Sequence, residues 1–261
     1  MDIPIKIWLK IFDSVIQPIA LYCSEVWGPL SHSYTQWDKH PTEILHAEFC
    51  RMILHVQRKT PTNACRAELG RYPLMMNIQK RALTFFKHLK ASPPETLHYK
   101  ALSTQELNPE KSPLCQLVLR LTAPPQTYSD QSLPNTDLKT PIRVNQIMTK
   151  CKETYLEHWT DKTKSQSRLD CYLALKTKYT FAKYLSTVRD RNQRQILTKY
   201  RLSDHKLAIE KGRLKKTWKP KENRLCDHCS ADEVETEMHF LLHCEQSHEI
   251  RNHYFSKCSS K

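Results

Sequence analysis

The sequence predicts a mainly α fold, in which helical, bundle-like segments lead to a small C-terminal module rich in cysteine and histidine. Three observations carry this expectation. Apolar residues recur at three- and four-residue spacing through most of the chain. Proline, threonine and glycine stand where such stretches begin and end. The 261 residues include only three glycines, Gly28, Gly70 and Gly212, no two of them close together. A P-loop, a dinucleotide fingerprint and a nucleophile elbow all require clustered glycines, so these classes of site are excluded.

The first helix is marked by Ile5, Trp8, Leu9, Phe12 and Ile16, and Pro18 bends or restarts it. A second begins at Pro41, a favoured first-turn residue, and carries Ile44, Leu45, Phe49, Met52 and Ile53. A third starts at Thr60-Pro61 and stops at Gly70. A fourth starts near Pro73 and carries Ile78, Leu83, Phe86 and Leu89. Residues 91–99 and 122–141 are rich in Pro, Ser and Thr and read as loops, the second as a linker, with a short apolar segment at 114–121 between them. Helices return at 144–159, 167–176, 181–185 and 189–200. The organisation expected is a helical region at 1–121, a linker at 122–141, a basic helical region at 142–224, a metal-binding module at 225–255 and a tail at 256–261.

Charge is unevenly distributed. The chain carries 41 Lys and Arg against 27 Asp and Glu, a formal net charge of +14. Residues 141–225 alone hold 22 basic and 8 acidic side chains, whereas 226–261 hold 3 and 7. Such a one-sided block, with aromatic residues inside it, is the electrostatic footprint of nucleic-acid binding. Arg189, Arg191, Arg194, Lys199 and Arg201 fall along one predicted helix. Lys211, Arg213, Lys215, Lys216, Lys219 and Lys221 crowd the eleven residues that follow position 210. Trp218 among them is placed either to stack on an unpaired base or to pack against the module.

Six cysteines (Cys23, Cys50, Cys65, Cys115, Cys151 and Cys171) are scattered among apolar residues and read as buried thiols, and Cys258 as a free thiol in the tail. The remaining three are ordered differently. Cys226, Cys229, His239 and Cys244 form a Cys-x2-Cys-x9-His-x4-Cys pattern. Two thiolates separated by two residues reach one ion from a tight turn, and four N/S donors complete a closed tetrahedral zinc shell with no open position for water or substrate. The expectation is therefore one structural zinc. His243 is the alternative fourth ligand, and Leu225, Val234, Phe240 and Leu241 are candidates for the module's small core. His228 and His248 read as surface residues. No catalytic constellation is evident: there is no His-Glu-x-x-His, no Gly-x-Ser-x-Gly and no adjacent pair of aspartates. Asp13, Glu25, Glu68 and Asp170 read as isolated carboxylates, so an enzyme is not expected.

Four segments in order carry a resemblance. Arg224-Leu225-Cys226-x2-Cys229, then 235–244 (Glu-Thr-Glu-Met-His-Phe-Leu-Leu-x-Cys), with Ile250-Arg251 and Tyr254-Phe255, resembles the zinc-knuckle tail of LINE-type non-LTR retrotransposon reverse transcriptases. Residues 207–213 are similar to the stretch before that tail. Residues 18–28 resemble the piece that follows the polymerase core, with Cys23 where Gly is usual, and residues 66–74 also fit, with Ala67 where Gly is usual. The polymerase Tyr-x-Asp-Asp site and the endonuclease domain of that family are not in this sequence, and Met1 falls after both. The resemblance implies a C-terminal fragment, from a truncated or host-retained copy, that holds RNA or DNA and carries none of the catalytic steps; the alternatives are a zinc-stabilised protein-interaction module and a non-functional truncated relic. The N-terminal residues Trp8, Phe12, Tyr22 and Trp27 would then be available to a protein partner. The N-terminal apolar pattern is interrupted by Lys6, Lys10 and Asp13, and the longest uncharged stretch there, 14–24, is eleven residues and contains Pro18, so neither a membrane span nor a secretory signal is expected, and the location expected is intracellular, in nucleus or cytoplasm.

Overall fold

The computed structural model describes residues 3–30, 34–123, 138 and 141–258, with the side chains of 34, 35, 257 and 258 set aside. The linker residues 124–137 and the Cys258 thiol lie outside what is described. Among the described residues the fold is mainly α, with two isolated β-bridges in place of a sheet.

Helix α1 (Ile5–Ile11) runs through a wide π turn at Phe12–Ile16 into α2 (Gln17–Ala20). Pro18 has no N–H to give, and the looser turn ahead of it accommodates that loss. After α3 (Ser24–Trp27) and α4 (Tyr34–Asp38) comes α5 (Pro41–Leu54), which His40 caps by accepting from the Thr42 N–H. The face that α5 turns inward differs from the apolar pattern that marked it. Ile44, Leu45 and Met52 are exposed, whereas Glu43 and His46 are buried. Arg66 donates to Glu43 at 2.6 Å and the Met75 N–H donates to it at 2.8 Å. Those bonds satisfy the buried carboxylate on the face that α5 turns inward.

Helix α6 (Thr62–Glu68) ends before Gly70, whose φ of +62° is open to glycine at little cost. A Cβ there would meet the Phe181 nitrogen at 2.6 Å. Helix α7 (Leu74–Lys90) buries Leu74, Ile78, Ala82, Leu83 and Phe86 along one stripe. Two short helices follow, α8 (Leu97–Leu107) and α9 (Pro113–Thr122). The apolar pattern did not disclose α8, because Leu102 is its only buried residue. Ser112 caps α9 by accepting from the Cys115 N–H.

Helix α10 (Val144–Lys164) extends five residues past the predicted end. Thr163 in that extension is buried and accepts from the Asn63 amide at 2.9 Å. A 3-10 turn and α11 (Asp170–Leu175) replace the continuous helix expected at 167–176. Phe181 is not helical; it bridges Leu69, and α12 spans Tyr184–Thr187. Helix α13 (Arg191–Arg201) begins after Asp190, whose carboxylate accepts from the Gln193 N–H at 2.7 Å. Helices α14 (Ala208–Lys211) and α15 (His248–Cys258) flank the C-terminal module.

Residues on both sides of the Pro/Ser/Thr-rich segment share one core, in which Phe12, Phe49, Leu83 and Phe86 join Met148, Tyr155, Trp159, Tyr172 and Leu202. Polar bonds cross the same boundary. Trp159 donates to the Asn63 carbonyl at 3.2 Å, and the Ala182 N–H donates to the Glu68 carbonyl at 2.8 Å. Cys50, Cys65 and Cys115 are buried as expected, Cys151 and Cys171 are half-buried, and Cys23 is exposed. Cys23 takes a left-handed φ of 53°, the conformation that glycine adopts without strain. No helix among the described residues is long and apolar enough to cross a membrane.

Candidate metal centre and basic strip

The module is built on a short antiparallel ribbon. Leu225 bridges Val234, the Cys226 N–H donates to the Glu233 carbonyl at 2.9 Å, and the Glu235 N–H donates to the Arg224 carbonyl at 2.9 Å. The turn between them closes through Asp232, at φ 49°. Thr236 then caps a π turn at His239–His243 by accepting from the His239 N–H. The π register brings the Cys244 N–H to the His239 carbonyl at 2.7 Å and turns the Cys244 side chain inward.

The four donors predicted from spacing converge. Cys226, Cys229, His239 and Cys244 place their ligand atoms within 4.8 Å of one another. Cys226 Sγ lies 3.9 Å from Cys244 Sγ, and Cys229 Sγ lies 3.4 Å from His239 Nε2. A tetrahedral ion with bonds of about 2.0–2.3 Å requires donor separations of about 3.5–3.8 Å, so the residues fit a bound metal ion. His243 is exposed and lies outside the group, which decides the fourth position for Cys244. Burial pushes the Cys226 thiol up to about 11. A coordinated cation reverses that tendency, because it deprotonates the thiols it binds.

Glu233, which spacing did not single out, accepts from His239 Nδ1 at 2.7 Å. That bond leaves Nε2 as the free donor and fixes the ring toward the thiolates. Glu235 and Glu237, two of the acidic side chains counted in 226–261, are buried. Glu235 accepts from the Ala208 N–H. Glu237 accepts from His205 at 2.8 Å and from the Ser203 hydroxyl at 3.1 Å. Burial pushes the Glu237 carboxyl up, but the bonds from His205 and Ser203, the charge of His205 and a backbone N–H together outweigh it and hold the group below its ordinary value. The predicted apolar core does not form: Leu225 and Leu241 are exposed, and Phe240 instead stacks on Tyr200 of α13. A module this small has too little apolar surface to cover itself, so polar bonds and the donor cluster position it.

The same docking presents the basic strip. Arg224 is buried and donates to the carbonyls of Ile209 at 2.9 Å and Lys219 at 3.0 Å, closing the loop between them. Gly212 lies directly against that side chain. Lys211, Lys215, Lys216, Lys219 and Lys221 are exposed, and Lys221 stands 3.6 Å from Asp170. Trp218 is 66% exposed and therefore does not pack against the module. Arg213 is engaged with Glu210 at 2.8 Å and with Ser167.

The α13 cations behave differently from one another. Arg201 donates at 2.6 Å to Glu68, which is fully buried, so its charge is balanced inside the fold. Glu68 is correspondingly not an isolated carboxylate, and Asp13 is held by Arg71. Arg194 donates to the Val188 and Arg189 carbonyls, and Lys199 is half-buried. Arg189 and Arg191 are exposed, Arg189 just outside the helix and Arg191 within 3.4 Å of His55. No family model matches the chain, and neither a curated protein nor a solved structure shows significant similarity to it.

Proposed function

We propose that this chain is a zinc-stabilised nucleic-acid-binding fragment, of the kind found in the C-terminal region of LINE-type reverse transcriptases, and that it catalyses no reaction. The observation that carries this reading is the exposed run of Lys211, Lys215, Lys216, Trp218, Lys219 and Lys221 on a loop pinned by Arg224 beside the donor cluster. Lysines in such a run neutralise phosphates and release counterions, and an exposed indole stacks on an unpaired base for about 1–3 kcal/mol. The closed N/S donor set has no position for substrate and matches the ligands zinc prefers. The expected setting is the nucleus or cytoplasm, where RNA and DNA are encountered.

Two measurements test this. Metal analysis of the purified chain should find one zinc, lost in Cys226→Ser. An RNA or DNA titration should show affinity falling steeply between low and moderate salt; flat salt dependence, or no binding at low salt, rejects the reading. A second reading is favoured by Ile19, Tyr22 and Val26, which are 75%, 76% and 67% exposed on the N-terminal helices. Such a patch suits a protein partner. Phe12 is not part of it, being buried, and Trp27 is half-buried against His40. Reversing Lys215, Lys216 and Lys219 to glutamate separates the two: lost nucleic-acid binding with intact protein association favours a docking role.

A further inference from the structure

We infer that a second phosphate contact lies in a polar cleft between α5–α6 and the C-terminal end of α10, and that the nucleic acid held by the strip continues into it. This rests on the nucleic-acid reading above. The cleft has a volume of about 550 Å³, ample for one nucleotide unit. Six cations line it: Arg51, Lys59, Arg66, Lys162, Arg168 and Arg213. Three carboxylates answer them. Asp38 and Glu43 are bridged by Arg66, Asp38 also pairs with Lys162, and Glu210 is shared by Arg168 and Arg213. The excess rests mainly on Arg51 and Lys59. Arg51 donates to two neutral oxygens, the Thr60 carbonyl at 3.0 Å and the Thr62 hydroxyl at 2.5 Å. Lys59 is exposed and makes no ion pair among the described residues.

Thr60 on the cleft wall is fully buried, and the groups open to a ligand there are the half-buried Arg51 and the exposed Lys59. Arg213 supplies continuity: it lines the cleft and stands two residues before Lys215 of the strip. A phosphodiester chain laid along the strip therefore arrives at the cleft mouth. Charge and donors in this cleft come from residues 51–66 and 162–213, so only folding assembles the site.

The test is a fluorescence-anisotropy titration of the full chain with a single-stranded RNA of about 20 nucleotides, repeated from about 50 to 200 mM salt. The variants are Lys59→Gln, Lys59→Glu and the strip variant K215Q/K216Q/K219Q. The Lys59 side chain makes no bond among the described residues, so the thermal midpoint should not fall. Lys59→Gln should weaken binding about three- to tenfold at low salt and reduce the log–log salt slope by about 0.7, one single-strand phosphate contact, and Lys59→Glu should weaken it further. Wild-type affinity and slope in both Lys59 variants, with binding lost in the strip variant, overturn the cleft while leaving the proposed function standing. No binding by the unaltered chain overturns both.

Discussion

In the helical body, Glu43 and Glu68 are buried against Arg66 and Arg201, and the residues around them form one apolar core that includes Phe12, Phe86, Trp159 and Tyr172. In the C-terminal module the apolar candidates are exposed or half-buried, and the buried groups are Glu235, Glu237, His239, Cys226 and Cys244. The body can offset the desolvation of its ion pairs with hydrophobic burial all around them. The module cannot, because it lacks the chain length to enclose a core. The contrast separates the two regions: the body is held by packing and by pairing its few internal charges, whereas the module has its polar attachment to residues 203–210 and four clustered side chains that fit a metal ion.

The largest expected effect breaks this comparison at the metal. Metal binding contributes on the order of 10 kcal/mol to the folding of small zinc modules. A strong chelator should therefore abolish amide-exchange protection at 225–244 while protection in α5, α7 and α10 persists. Protection that survives in the module would mean that the polar attachment alone holds it. Next comes Glu68→Ala, which leaves Arg201 and Lys176 facing a buried site without their carboxylate. Denaturant unfolding should show a loss of about 3–5 kcal/mol; an effect near zero would place the body's stability in packing alone.

A backbone change sharpens the same contrast. Gly70→Ala would meet both the left-handed φ and the Phe181 backbone, and should cost about 2 kcal/mol or more. An unchanged unfolding midpoint would show that the Leu69–Phe181 contact yields easily. Within the module, Glu233→Gln removes the carboxylate from His239 Nδ1 and should weaken metal binding about 10–100-fold in a competition titration, without changing the stability of the body. The smallest effect is Cys23→Gly, which relieves a left-handed residue and should raise body stability by up to about 1 kcal/mol.

Much of this architecture was legible one residue at a time. The stripe of α7 and the stop at Gly70 are local patterns, and the Cys-x2-Cys-x9-His-x4-Cys spacing marks its own donors because close spacing limits which side chains can meet. What failed to show depended on partners far along the chain. Helix α8 carries almost no buried face, so periodicity was silent there. The last five residues of α10 gain a contact with Asn63, a hundred positions earlier. Phe181 is drawn to Leu69 and leaves the helical register. Arg201 looked like one more basic residue in a row, and only Glu68, buried across the core, distinguishes it from Arg191. Glu233, Glu235 and Glu237 are three more acids in the count for 226–261, yet each is committed to a different bond.

By itself, the sequence determined a helical chain, a single cluster of metal-ligand residue types and a concentration of positive charge before it, since composition, capping and short-range spacing are properties of neighbouring residues. The tertiary structure decided which charges are available. It withdrew Arg201 into an ion pair and buried two acids of the module. It also left the lysines from 211 to 221 in solvent, and it assembled the cationic cleft from two segments far apart in the chain, 51–66 and 162–213. Whether a charge faces water or a buried partner depends on what packs against it, and no local pattern along the chain encodes that.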